Sequence, residues 1–284
     1  MSDDDKNKFP GENNSGHVWD DNLRELLNDP PTWWRIGFHA SWIFVIVYTL
    51  LYPSWPMLTT HFKGLMGWTS INEYREDLKQ INDIRGPYEA KITAKSVSEI
   101  LADEELSTYV VRSAKVLFGD NCAACHGAGG QGNPGFPVLA DDDWLYGGTI
   151  TDIETAIVSG RKGVMMANDS MLSAAEVDKL ANAVMAGSAA KEPLFTEKGC
   201  IGCHGADARG MTFLGSANLT DGIYRFTAAD QLASIAHTIK YGVNDPSNEK
   251  TRNAVMPAFG DAGRLSESEL KKLAVYVHKL GGGQ

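Results

Sequence analysis

The chain has 284 residues, of which 43% are hydrophobic and 22% charged, a length that suits about two folded units. Thirty-six acidic residues against 26 basic ones give a net charge of −10, which argues against a nucleic-acid-binding protein because phosphate neutralisation needs a basic surface. Four cysteines are too few for a disulfide scaffold, and the composition excludes collagen-like and fully disordered chains.

The N-terminal third contains one apolar run. Residues 1–32 form a predicted polar arm, and the first 16 of them have the composition of a flexible segment. We predict a transmembrane helix over residues 33–56, because residues 36–52 carry no formal charge. Aromatic residues flank this run as they do at membrane interfaces: Trp33, Trp34, Tyr52 and Trp55. The 32 mostly polar residues before it favour an uncleaved span over a signal peptide. A buried helix of a soluble protein is the alternative. Residues 57–106 form a predicted linker that is partly helical.

All cysteines lie in two short blocks, Cys122-Ala-Ala-Cys125-His126 and Cys200-Ile-Gly-Cys203-His204. Cys-x-x-Cys-His is the attachment motif of c-type haem. The two thiols form thioethers with the haem vinyl groups, and the histidine binds the iron. A structural zinc site does not require a histidine after each second cysteine, and a thioredoxin-like pair needs a βαβ setting. The sequence therefore predicts two covalently bound haem c groups. Their attachment residues are Cys122, Cys125, Cys200 and Cys203, and their proximal iron ligands are His126 and His204.

The two blocks begin the copies of a longer internal repeat. Each copy continues with a methionine-containing loop and closes with a predicted helix that starts at a capping box, Ser173 with Glu176 and Ser266 with Glu269. The apolar residues that follow recur at helical spacing in both copies. They are Val177, Leu180, Ala181 and Val184 in the first copy and Leu270, Leu273, Ala274 and Val277 in the second. We predict two tandem domains, residues 107–190 and 191–284.

The order of these motifs resembles that of class I cytochrome c domains, repeated twice. The resemblance implies an all-α fold, a C-terminal helix packed on the first helix, and a methionine as the sixth iron ligand. Met256 fits that role in the second unit, where Met-Pro-Ala follows a glycine-containing loop, and Met211 is its competitor. Met165 fits in the first unit, but Met166 replaces the expected proline and is the main alternative, and Met171 lies close by.

Other residues complete the predicted sites. His237 and His278 are alternative sixth ligands for the second haem, although both lie on predicted helix faces. A proximal histidine usually donates its other N–H to a backbone carbonyl, and the family pattern points to Pro137 and to Ala217. Arg161 and Lys240 are candidate partners of haem propionates.

The whole chain resembles the dihaem subunit III of the cbb3-type haem–copper oxidases. The specific elements are Gly16-His17-Val18-Trp19-Asp20, Trp33-Trp34, one span ending at Tyr52-Pro53, and two haem c units. The resemblance implies an electron-transfer subunit that passes electrons from a donor cytochrome c to a monohaem c subunit and then to the haem–copper catalytic subunit. Oxygen is reduced there with proton pumping, and this chain has no catalytic centre of its own.

The expected location is the bacterial inner membrane, crossed once, with lipid around the span. Because haem c is attached outside the cytoplasmic membrane, the haem domains are expected in the periplasm and the N-terminus in the cytoplasm. Two alternatives remain. One is a dihaem cytochrome c shuttle, or a dehydrogenase-linked cytochrome, that is not part of an oxidase. The other is a dihaem peroxidase, which needs one haem with an open distal position.

Overall fold

The structure, a computed structural model, describes residues 9, 11–20 and 22–284. The chain forms two compact units, residues 1–83 and residues 84–284. Much of the predicted flexible arm, namely residues 1–8 and 10, lies outside the described residues.

The first unit contains a short β-hairpin that the sequence analysis did not predict. Strands β1 (Asn14–Trp19) and β2 (Leu23–Leu26) pair antiparallel, with Val18 opposite Arg24. A β-hairpin of two strands has no core of its own, and the ion pair between Arg24 and Glu12 adds a contact beside it. The remaining regular elements of the described chain are helical, as predicted.

Helix α1 (Thr32–Leu51) follows the hairpin and has 20 residues, none of them buried. Its mean hydropathy of 1.3 makes it long and apolar enough to cross a membrane. The N–H of Tyr52 still bonds to the carbonyl of Tyr48 at 2.9 Å, but Pro53 has no N–H to donate, and the helix stops. The helix is therefore shorter at its C-terminal end than the predicted span of 33–56.

Ten further α-helices lie in the described part of the chain after residue 69. Their bounds are α2 Ser70–Ala94, α3 Val97–Ala102, α4 Glu104–Asn121, α5 Ala123–His126, α6 Ile150–Ser159, α7 Ala174–Met185, α8 Pro193–Glu197, α9 Ile201–His204, α10 Gln231–Tyr241 and α11 Glu267–His278. A 3₁₀ turn at Ala189–Lys191 precedes α8. Both predicted capping boxes are present and start α7 and α11.

Unit 84–284 has two hydrophobic cores. The first core lies between α3, α4, α6 and α11 and includes Phe118, which is fully buried and 5.1 Å from the ring of Tyr276. The second core lies between α7, α8 and α10 and includes Leu180, Phe195 and Ile235. Each core is therefore built from parts of both sequence repeats.

The closing helices of the two repeats are exchanged. Helix α11 comes from the second repeat but packs on α4 and α6 of the first, whereas α7 comes from the first repeat and packs on α10 of the second. This arrangement differs from the expectation that each closing helix packs on the first helix of its own repeat. The sequence ranges 107–190 and 191–284 stay a prediction.

Candidate haem-binding sites

Each attachment block lies on a single helical turn. Helix α4 ends just before Cys122, whose N–H bonds to the Phe118 carbonyl at 2.8 Å, and α5 carries the rest of the first block. Helix α9 carries the second block in the same way. None of the four cysteines forms a disulfide. Cys122 packs against the first core and Cys200 against the second, so the thiols are divided between two sites and do not form one four-cysteine zinc centre.

The histidines of the two blocks both form a hydrogen bond with a backbone carbonyl. Nδ1 of His126 lies 3.0 Å from the carbonyl oxygen of Pro137, and Nδ1 of His204 lies 3.0 Å from that of Ala217. Both carbonyl predictions are confirmed. A carbonyl can only accept, so Nδ1 carries the proton and Nε2 keeps its lone pair. Burial lowers the pKa of both imidazoles below the usual value, which favours the neutral form that binds metals.

The methionine loops are exchanged between the repeats in the same way as the closing helices. Met256 forms two backbone hydrogen bonds with Arg161, of 2.8 and 2.9 Å, and packs against the first core. Met165 forms two backbone hydrogen bonds of 2.9 Å with Val243, which lies just after the end of α10. The second residue after helix α6 thus pairs with the methionine of the second repeat, and the second residue after α10 pairs with the methionine of the first.

Glycine is needed where these segments meet. Gly160 and Gly242 end α6 and α10 with φ of +67° and +70°, a region that favours glycine. A Cβ at Gly160 would lie 2.5 Å from the Met256 carbonyl oxygen, and one at Gly242 would overlap the Met165 carbonyl oxygen. Each glycine lets a helix end lie directly against the methionine segment of the other repeat.

The alternative sixth ligands differ from Met165 and Met256 in exposure or in their contacts. Met166 and Met171 are each 59% exposed, whereas Met165 and Met256 are half-buried. Met211 lies in a loop where its N–H donates to Ser216 Oγ at 2.8 Å. Nε2 of His237 lies 3.1 Å from the Lys250 carbonyl oxygen, and Nε2 of His278 lies 3.1 Å from the Gln284 carbonyl oxygen.

Aromatic residues of each repeat reach the haem-block loop of the other. The Tyr146 ring lies against Gly215, and the Phe226 ring would be 3.7 Å from a Cβ at Gly135. Both glycines come two residues before the carbonyl that accepts from a block histidine. Sequence reasoning missed these contacts, although Tyr146 and Phe226 occupy equivalent positions two residues after Trp144 and Tyr224.

Three arginines near these loops have buried nitrogen atoms without partners. Nε of Arg161, Arg225 and Arg252 is buried and makes no hydrogen bond, and the ion pairs among the described residues do not include these side chains. Burial lowers the pKa of Arg225 and Arg252. All three side chains are half-buried, and partial desolvation of a cation is costly unless an anion compensates it. Haem propionates are such anions. The three guanidinium groups, the cysteine thiols and the Nε2 atoms of the two block histidines together fit haem c. Lys240 instead lies over the Tyr241 ring at 5.2 Å.

Comparison with known protein families shows the family of this chain. The family profile described as "Cytochrome C oxidase, cbb3-type, subunit III" matches residues 110–182 and 189–277. The chain belongs to this family. A second profile, the N-terminal domain of the FixP subunit of cbb3 cytochrome oxidase, matches residues 11–59 of this subunit III chain.

Curated relatives match over nearly the whole length. The FixP subunit of the cbb3-type cytochrome c oxidase of Azorhizobium caulinodans is 38% identical over 96% of this chain and 94% of its own. FixP of Bradyrhizobium sp. strain ORS 278 is 37% identical, covering 95% of each chain. The CcoP subunit of Rhodobacter capsulatus is 35% identical over 95% of this chain and 96% of its own.

Family membership confirms several sequence predictions. The resemblance to subunit III of the cbb3-type oxidases is confirmed, as is a mostly helical fold with one N-terminal candidate membrane helix and two cytochrome c domains. Cytochrome c domains imply covalently bound haem c. The candidate helix and the relatives together support a membrane-anchored protein.

Proposed function

We propose that the chain binds two haem c groups and transfers electrons as a subunit of a cbb3-type oxidase. One haem would be attached to Cys122 and Cys125, and the other to Cys200 and Cys203. The observation that carries this proposal is the repetition of one geometry. In both blocks, two cysteines without a disulfide and an imidazole with Nδ1 on a backbone carbonyl share one helical turn. That set matches the attachment and proximal ligation of haem c.

The four axial ligands of the proposal are His126, Met165, His204 and Met256, in a crossed pairing. Met256 would serve the haem of His126, because it packs against the core that contains Cys122. Met165 would serve the haem of His204, because its backbone pairs with the end of α10, which packs on the second core. The exposure of Met166 favours Met165 in this role.

When bound, haem c supplies a one-electron redox centre. The chain's own residues control its environment. The Pro137 and Ala217 carbonyls fix the orientation and tautomer of the proximal imidazoles. The thioethers of Met165 and Met256 would bind the haem irons, favour the reduced state and leave no open coordination site for oxygen. The half-buried arginines Arg161, Arg225 and Arg252 would compensate the negative charge of the propionates. The role we propose for the chain is therefore electron transfer.

The proposed partners are a donor cytochrome c, a monohaem c subunit and the haem–copper catalytic subunit. Helix α1 would cross the bacterial inner membrane once, with its apolar side chains in lipid. The N-terminus would lie in the cytoplasm and both haem domains in the periplasm, where haem c is attached.

Purification in mild detergent tests this function. The affinity tag belongs at the N-terminus, because the C-terminal residues are packed: the N–H of Gln284 bonds to the Gly148 carbonyl at 2.9 Å. We expect two haem c per chain, together with haem b and copper from the catalytic subunit. As a matched control, replacing Cys200 and Cys203 with alanine should halve the haem c attached to this chain, measured on the chain after the subunits are separated by denaturing electrophoresis. Haem c without haem b and copper would instead support the dihaem shuttle.

A second experiment tests the crossed pairing. In the chain that keeps only the haem of Cys122 and Cys125, Met256→Leu should remove the sulfur-to-iron charge-transfer band of the ferric haem and lower its potential. Met165→Leu should leave both unchanged in that chain. The opposite result would show that each methionine serves the haem of its own repeat.

A further inference from the structure

A two-residue segment, Asn244-Asp245, lies between the two methionine loops. It follows Val243, the residue that pairs with Met165. Both side chains are buried, with 7% of Asn244 and 2% of Asp245 exposed. Asn244 has a φ of +52°, a left-handed conformation that asparagine tolerates better than most residues. A buried polar pair in this conformation has a structural cost, so its contacts indicate what it stabilises.

The Asn244 amide bonds to both loops at once. Its Nδ2 donates to the Gly163 carbonyl at 2.7 Å, two residues before Met165. The same Nδ2 donates to the Ala254 carbonyl at 2.9 Å, and Oδ1 accepts from the Ala254 N–H at 2.8 Å, two residues before Met256. One side chain therefore fixes the backbone before each methionine.

Asp245 adds a contact on the other side of Met165. Its Oδ2 accepts from the Ala167 N–H at 2.6 Å, and its Oδ1 accepts from the Ser247 N–H at 2.9 Å. Charge-assisted bonds of this kind are stronger than neutral ones. The backbone around Met165 is thus held before it by Asn244 and after it by Asp245.

We propose that Asn244 is a positioning residue for both axial methionines and thereby sets the strength of both methionine–iron bonds. The proposal rests on the proposed function, in which Met165 and Met256 are ligands. A thioether is a weak ligand on a flexible side chain, so its bond to iron depends on where the backbone holds it. Loss of the Asn244 amide should weaken methionine ligation at both haems while leaving the thioether attachments intact.

The number of lost bonds gives the size of the effect. A neutral hydrogen bond contributes about 1 kcal/mol, a factor of about five in an equilibrium constant. Asn244→Gly keeps the left-handed backbone and removes one bond to the Met165 loop and two to the Met256 loop. Imidazole, which competes with methionine for ferric haem, should therefore bind about fivefold more tightly at one haem and about thirtyfold more tightly at the other.

The test is an imidazole titration of the full chain in detergent, followed through the sulfur-to-iron charge-transfer band. Haem content per chain is measured in parallel. Asn248→Gly is the matched control, because Asn248 lies in the same segment but its side chain bonds to Asp169 at 2.9 Å and to neither Gly163 nor Ala254. Asn244→Asp is a second variant. It keeps the acceptor for the Ala254 N–H and loses one donated bond to each loop, so we expect at least a fivefold effect at both haems.

The outcomes separate the two proposals. A wild-type chain with two haems and no charge-transfer band would refute methionine ligation itself. A normal wild-type band, with an unchanged titration at one or both haems of the Asn244 variants, would refute the role of Asn244 alone. Loss of haem from both Asn244 variants but not from Asn248→Gly would also refute it, because Asn244 would then support the fold and not the ligand.

Discussion

The exchange of the closing helices can be tested with two equivalent leucines, one in each repeat, and each variant serves as the control for the other. Leu180 and Leu273 occupy equivalent positions in α7 and α11 and are 3% and 0% exposed, but they lie in different cores. Replacing leucine with alanine removes Cγ and both Cδ atoms, which costs about 2.4 kcal/mol of transfer free energy at about 0.8 per group. The cavity left behind raises this to about 3–5 kcal/mol.

The two variants should loosen different helices. We expect Leu273→Ala to weaken the first core and to speed amide hydrogen exchange in α4 and α6. Leu180→Ala should speed exchange in α10 instead. A local loss of about 3 kcal/mol corresponds to a rate increase of about a hundredfold where exchange follows local opening.

Hydrogen exchange with mass spectrometry, on the haem-loaded chain in detergent, measures both effects at peptide resolution. Each variant is the control for the other, since the substitution and the burial are the same. If Leu180→Ala speeds exchange in α4 while Leu273→Ala leaves α4 unchanged, the helices pack in sequence order and the exchange is refuted.

Three further predictions concern contacts outside the ligand loops. Trp144→Phe removes the Nε1–H bond to the Gly282 carbonyl, 2.5 Å long, and should cost about 1 kcal/mol and expose the last residues to carboxypeptidase. Glu89→Gln breaks an ion pair of 2.6 Å and leaves Lys272, whose side chain is 12% exposed, without its charge partner. We expect a loss of about 1–3 kcal/mol in thermal unfolding, which Lys272→Met should partly restore. Burial, then the charges of neighbouring aspartates, raises the pKa of Asp143 to about 6, so its ionisation disfavours the folded state as pH rises from about 4 to 6. Asp143→Asn should remove that fall and raise stability at neutral pH by up to about 1 kcal/mol; an unchanged pH profile of unfolding would refute the assignment.

Local signals in the sequence predicted the local features of the site. The carbonyl partners Pro137 and Ala217 and both capping boxes depend on residues close together in the chain, and the structure has them where the motifs indicated. The hairpin at residues 14–26 was missed because its strands are short and polar, without the alternation that predicts a strand.

The helix exchange could not be predicted for a different reason. Helices α7 and α11 have the same capping box and the same apolar spacing, so these patterns do not distinguish the core on which each one packs. Periodicity predicts that a helix buries one face, but it does not identify the partner when a repeat offers two equivalent ones. The choice is made by contacts between residues far apart in the chain. Asn244, which joins Gly163 to Ala254, is such a contact, and in the sequence Asn-Asp-Pro reads only as a turn.

This exchange has a consequence for electron transfer under the proposed ligation. If each haem takes its histidine from one repeat and its methionine from the other, neither site is complete without both repeats. The two sites are then fixed to each other by the chain itself, through Gly160, Gly242 and the Asn244 amide. Two separately folded domains on a linker would vary in their separation. Crossed segments hold it constant, which suits a subunit whose proposed work is to pass electrons between two fixed haems.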